Sequence, residues 1–183
     1  MRQRAVFLDR DGVLNAVVLE DGVPRAPSSP AALEILPGVA DALRLLQAHG
    51  FLRIVVTNQP DVARGGATRE AVEAIHQHLV ATLPLDAIFV CYHDDGDACA
   101  CRKPQPGLLR DAAAAYDVDL AGSFLVGDRW RDIEAGHAAG CTTFLIRRTY
   151  SGPCRPTHEV HDLPEAARRI VTLAGHPPLR APG

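Results

Sequence analysis

Two carboxylates stand in alternate positions, Asp9 and Asp11, where the hydrophobic run Ala5-Val6-Phe7-Leu8 gives out. If the backbone stays extended they face the same way, and Gly12 permits a turn immediately afterwards. Acids this close repel one another, so a hard cation such as Mg²⁺ would stabilise them and neutralise a phosphate held alongside. A carboxylate can attack a phosphoryl group, and a neighbouring acid can protonate the leaving oxygen and then activate water. Taken alone, the segment also admits the weaker reading of an ordinary polar turn.

Further groups complete the chemistry. Thr57, with Asn58 beside it, offers a hydroxyl and backbone N–H groups for phosphate oxygens at the end of Val55-Val56. Lys103, between Arg102 and Pro104, supplies positive charge, and Asp128 follows Val126-Gly127 with Asp132 shortly beyond as a supporting acid. Each is uninformative singly; together they form the kit for metal-assisted phosphoryl transfer. A second constellation, Cys91, His93, Cys99 and Cys101, provides three thiolates and an imidazole for a closed tetrahedral Zn²⁺ shell, with no position left for water. Such a site is structural, and it would order the 91–101 loop and place Arg102 and Lys103 beside the acids.

The elements that must position these groups follow from periodicity. Strands are expected at 5–8, 52–56, 87–90, 123–126 and 142–146, and helices at 39–48, 68–83, 107–116, 132–139 and 163–174. This alternation calls for one α/β, Rossmann-like domain, a mostly parallel sheet with helices on both faces. The polar residues then cluster beyond the carboxyl ends of the strands, where ligands gather in such sheets. The domain is expected to span 1–174, with a mobile proline- and glycine-rich tail at 175–183. About 45 residues separate Asp11 from Thr57, and Thr57 from Lys103. Much of each interval is taken by expected elements, leaving no room for a large cap.

Composition narrows the function further. A chain of 183 residues supports one substantial core, and a net charge of −3 gives no general attraction for nucleic acid. No segment approaches the roughly 20 apolar residues of a membrane helix, and the run before Asp9 is too brief for a secretory signal. Five cysteines, three of them crowded beside His93, suit thiolate ligation in a reducing cytoplasm rather than a disulfide framework. A small phosphorylated metabolite is the expected partner, bound by a monomer.

Asp9-Arg10-Asp11-Gly12, Val56-Thr57-Asn58, Lys103-Pro104 and Val126-Gly127-Asp128 resemble, in order and spacing, the four signature motifs of the haloacid dehalogenase superfamily of phosphatases. The resemblance implies Asp9 as nucleophile, Asp11 as acid and base, Thr57 as phosphate-binding residue and Lys103 as the neutralising lysine. It implies Mg²⁺ held by Asp9, Asp128 and the backbone carbonyl of Asp11. The zinc loop resembles that of the nearly capless heptose bisphosphate phosphatases and also that of the histidinol phosphate phosphatases. Residues 58–65 and 101–107 are more similar to the former, in which arginines corresponding to Arg64 and Arg102 recognise substrate. Pro60-Asp61 and Val17-Val18-Leu19-Glu20 depart from the heptose pattern. On charge, Arg64 and Arg102 are surplus cations suited to a second phosphate, whereas Asp61, Asp94 and Asp95 would be the uncommitted acids for histidinol phosphate.

Readings from other classes are a phosphoacceptor signalling domain, a zinc-organised interaction module without activity, and a nucleic-acid end phosphatase. The first has no use for the Asp9/Asp11 spacing or the zinc loop, and the last would want an aromatic-basic groove.

Overall fold

The structure, a computed structural model, describes residues 2–175; the expected tail beyond Gly175 lies outside the described residues. Six parallel strands form one sheet. They are β1 (Arg4–Leu8), β4 (Phe51–Asn58), β5 (Ala87–Cys91), β6 (Phe124–Gly127), β7 (Thr142–Ile146) and β8 (His158–Val160), in the order β5-β4-β1-β6-β7-β8. The chain runs outward from β1 to one edge, then returns to β6 and runs to the other. The strand order therefore reverses beside β1, which opens a crevice at its carboxyl end.

Side-chain alternation along β1 divides the core in two. Val6 and Leu8 pack under α1 (Val39–Ala48), α2 (Arg69–Thr82) and α5 (Leu163–Ala174), whose buried residues include Leu43, Leu79 and Ile170. Ala5 and Phe7 pack on the opposite face with Leu108 and Leu109 of α3 (Gly107–Tyr116) and Ala135 of α4 (Trp130–Ala139). Helix ends follow local chemistry: the Thr68 hydroxyl accepts from the N–H of Ala71, and the Asp162 carboxylate from that of Glu165.

The expected α/β architecture is present, and three short strands add to it. An antiparallel hairpin, β2 (Val18–Glu20) and β3 (Val23–Arg25), stands apart from the sheet with Val18, Leu19 and Val23 exposed, and β8 extends the sheet edge. No cap domain is present among the described residues. Helix α4 begins at Trp130 rather than at Asp132, because the Asp132 carboxylate accepts the backbone N–H of Arg129 from inside the first turn. Among the described residues no helix is long and apolar enough to cross a membrane.

Candidate active site and zinc loop

Asp9 leaves β1 with its backbone N–H bonded to Val126 O at 3.0 Å, which fastens it to β6 beside Asp128. Its Oδ1 accepts a hydrogen bond from Lys103 Nζ at 2.8 Å, and the same ammonium reaches Asp132 Oδ1 at 2.6 Å and Val56 O at 2.8 Å. Lys103 is only 2% exposed. Burial works to discharge it, but Asp132 and Asp9 more than compensate and push its pKa above the usual lysine value. Burial raises Asp9 to about 6, with Lys103 opposing and Asp132 adding to the rise.

Asp128 is fully buried, and neither of its carboxylate oxygens has a well-formed hydrogen bond among the described residues, although the nearby Tyr150 hydroxyl works to lower its pKa. Burial, then the neighbouring Asp9 and Asp132, push its pKa well above the carboxylate range. One carboxylate oxygen from each of Asp9, Asp128 and Asp132 falls within 4.8 Å of the others. Three carboxylates against one ammonium leave the group two charges negative when ionised, and an orphaned buried carboxylate is a standing cost. The donor set fits a hard divalent cation. Gly12 makes room for this arrangement: its φ is +89°, and a Cβ there would lie 2.0 Å from Asp128 Oδ2.

Asp11 differs from the expectation that a cation relieves its charge. Its carboxylate accepts from Arg10 Nη2 at 2.9 Å, Asn15 Nδ2 at 3.0 Å and Gln59 Nε2 at 2.8 Å. Burial works to raise its pKa, but Arg10 and these hydrogen bonds prevail and hold it below the usual value. With its side chain so engaged, any metal contact from Asp11 falls to its carbonyl. Gln59 Nε2 also donates to Thr57 Oγ1 at 2.9 Å, joining the hydroxyl to the acid. Asn58, expected to bind phosphate, lines the pocket, and its side chain grips the backbone of Lys103, its Nδ2 donating to Lys103 O and its Oδ1 accepting from Lys103 N.

Cys91, His93, Cys99 and Cys101 converge as expected, their ligand atoms within 4.8 Å of one another. His93 Nδ1 lies 3.2 Å from Cys101 Sγ and 3.5 Å from Cys91 Sγ. The Arg102 N–H donates to Cys99 Sγ at 3.4 Å, and although burial opposes it, this contact and the neighbouring thiols lower Cys99 to about 7. The donors fit Zn²⁺. Gly107 lets the loop rest on the start of α3, since a Cβ there would lie 2.2 Å from Ala100 O. One zinc per chain is expected to survive mild dialysis, and Cys99→Ser is expected to lower that content when measured by elemental analysis.

Arg64 and Arg102 line the pocket over Asp9, but they are not surplus cations: Asp61, Asp94 and Asp95, expected to be uncommitted, are their partners. Arg64 binds Asp94 through two nitrogens and approaches Asp61 at 3.8 Å. Arg102 binds Asp95 at 2.9 Å and His93 O at 3.2 Å. Long-range pairing between loops decided this, which spacing along the chain cannot show. The pocket also receives Arg129, missed in the sequence although it adjoins Asp128; it packs over the Tyr150 ring and makes no ion pair among the described residues. Gln59, equally missed in the sequence, bridges Asp11 and Thr57, and its alternate position after Thr57 is the signal that could have found it.

Comparison with known proteins agrees with this geometry. Residues 100–170 match the HAD-hydrolase-like family. The chain is 39% identical over 176 residues to D-glycero-beta-D-manno-heptose-1,7-bisphosphate 7-phosphatase of Bordetella bronchiseptica, covering 93% of this chain and 94% of that one. It is 34% identical to the enzyme of the same name from Escherichia coli K12, covering 90% and 94%. The crystal structure of the B. bronchiseptica D,D-heptose 1,7-bisphosphate phosphatase complexed with magnesium and phosphate superposes with a TM-score of 0.81 at 36% identity, over 93% of this chain and 99% of that chain.

Proposed function

The chain belongs to the D-glycero-D-manno-heptose-1,7-bisphosphate 7-phosphatase family of the HAD superfamily, and from that premise we propose that it hydrolyses the 7-phosphate of this heptose bisphosphate through a phosphoryl-Asp9 intermediate. The observation that carries the reading is the buried trio of Asp9, Asp128 and Asp132, in which Lys103 ion-pairs with Asp9 and Asp132 and leaves Asp128 without an ion pair among the described residues. Mg²⁺, held by Asp9, Asp128 and the Asp11 carbonyl, supplies positive charge against the phosphoryl oxygens.

Lys103 holds Asp9 Oδ1, which leaves the other carboxylate oxygen to attack phosphorus in line with the ester oxygen. As the Asp9–phosphorus bond forms, the phosphorus–ester bond breaks and Asp11 delivers a proton to the departing oxygen. Asp11 is held ionised in this structure; an entering phosphate dianion raises its proton affinity, because a like charge disfavours a second one. In the second step Asp11 takes a proton from water, the hydroxyl attacks phosphorus, and phosphate leaves Asp9 free. Thr57, whose hydroxyl is joined to Asp11 through Gln59, holds a phosphoryl oxygen in this scheme.

The open rim suits a small substrate, with the β2–β3 hairpin as its outer wall. We read the catalytic domain as residues 1–174, the zinc loop as 91–101, and the protein as a cytoplasmic monomer. Since Arg64 and Arg102 are paired, the unpaired Arg129 is the better receiver of the second phosphate, with Arg102 beside it. Side-by-side kcat/KM values for both heptose bisphosphate anomers, histidinol phosphate and sugar monophosphates test the substrate. A bisphosphate is expected to lead the panel; preference for histidinol phosphate over both anomers would overturn the choice. Arg129→Gln is expected to lower the bisphosphate-to-monophosphate ratio about tenfold, the effect of losing one charge-assisted contact.

A further inference from the structure

The Asp11 carboxylate is held from behind by side chains that the scheme above does not use. Arg10 is fully buried. Its Nε lies 3.2 Å from both Asp11 oxygens and its Nη2 donates to Oδ2 at 2.9 Å, so one guanidinium plane fixes the carboxylate. The remaining arm, Nη1, lies 3.0 Å from Nε2 of His76, a buried residue of α2. Arginine only donates, so Nε2 accepts, the imidazole is neutral and its proton sits on Nδ1. Burial, then the Arg10 charge, hold His76 in that form by lowering its pKa to about 4. Nδ1 faces Glu73 at 3.7 Å, and Glu73 accepts a hydrogen bond from the hydroxyl of Tyr92. Tyr92 stands between the zinc ligands Cys91 and His93.

We propose that Arg10 and His76, backed by Glu73 and Tyr92, are positioning residues that aim the Asp11 carboxylate at the leaving oxygen and tie its orientation to the zinc loop. Arg10 joins Asp11 to His76 by direct contacts, Glu73 stands 3.7 Å beyond the imidazole, and the chain ends on the carboxylate that faces the pocket. A flexible arginine without His76 would keep its charge on Asp11 but lose the fixed plane, so proton delivery should suffer more than substrate binding. The inference rests on Asp11 being the acid and base of the reading above.

Leaving-group dependence tests it on the purified full chain with zinc and Mg²⁺ present. The alkoxide of heptose bisphosphate needs a proton as it departs, whereas the phenolate of p-nitrophenyl phosphate leaves without one. His76→Leu is expected to lower kcat/KM about tenfold toward the bisphosphate and less than about twofold toward the aryl phosphate. His76→Gln, whose amide oxygen can accept from Arg10, is expected to recover most of the loss. Equal losses toward both substrates would overturn the proposal, because a loosened fold does not distinguish leaving groups. Should His76→Leu fail to fold, Glu73→Ala at the half-exposed end of the chain is expected to show the same asymmetry in smaller measure, and a symmetric loss there would overturn it equally. Asp11→Asn in the same two assays separates the layers. If it shows no asymmetry, the acid assignment itself is wrong; if it does while the His76 variants do not, only the positioning chain is wrong.

Discussion

Asp9→Asn is expected to abolish turnover, by about 10⁴-fold or more, in a protein that remains folded. The amide oxygen can still accept from Lys103, so the buried contact with the ammonium survives in part, but the nucleophilic carboxylate is gone. Stability should hold or rise in the absence of Mg²⁺, because the substitution removes one of three crowded acids whose burial already raises Asp9 to about 6. Steady-state assays with the bisphosphate, paired with thermal melts with and without Mg²⁺, provide the check. Substantial activity in the folded variant would contradict the covalent scheme.

Lys103→Met is the second large effect, and it should appear in stability as well as activity. The methionine fills most of the buried volume but leaves Asp9 and Asp132 facing each other without their shared cation. Removing one partner of a buried ion pair typically costs about 3–5 kcal/mol, which for a chain of this size lowers Tm by roughly 10 °C. Burial already raises Asp9 to about 6, and its protonation would relieve the stress, so the deficit should shrink as pH falls through that range. Mg²⁺ should recover part of the stability while turnover stays low, since the phosphoryl group loses its neutralising ammonium. Unaltered melting at neutral pH would show that Lys103 is not the counterion of this cluster.

Much of this site was legible because its chemistry is carried at the ends of buried strands. The runs ending at Leu8, Val56 and Val126 are apolar on both faces, so the first polar residues after them, Asp9, Thr57 and Asp128, had to emerge at one rim. The zinc ligands were equally plain, being close in sequence. Elements without a buried face were not: β2 is wholly exposed, and β8 buries only Val160. Pairings made across the fold were also hidden. Nothing local indicates that Asp94 and Asp95 take up Arg64 and Arg102, that Asn58 grips Lys103, or that His76, on an otherwise apolar helix face, meets Arg10. Each depends on which loops the parallel sheet brings side by side.

The covalent intermediate can be sought directly by rapid acid quench of the enzyme mixed with heptose bisphosphate labelled at the 7-phosphate, followed by peptide mapping. The account predicts a transient label, formed and lost at rates compatible with turnover, on the peptide containing Asp9. Label on another residue, or rapid turnover with no label trapped at any time resolved by a quench faster than kcat, would contradict it.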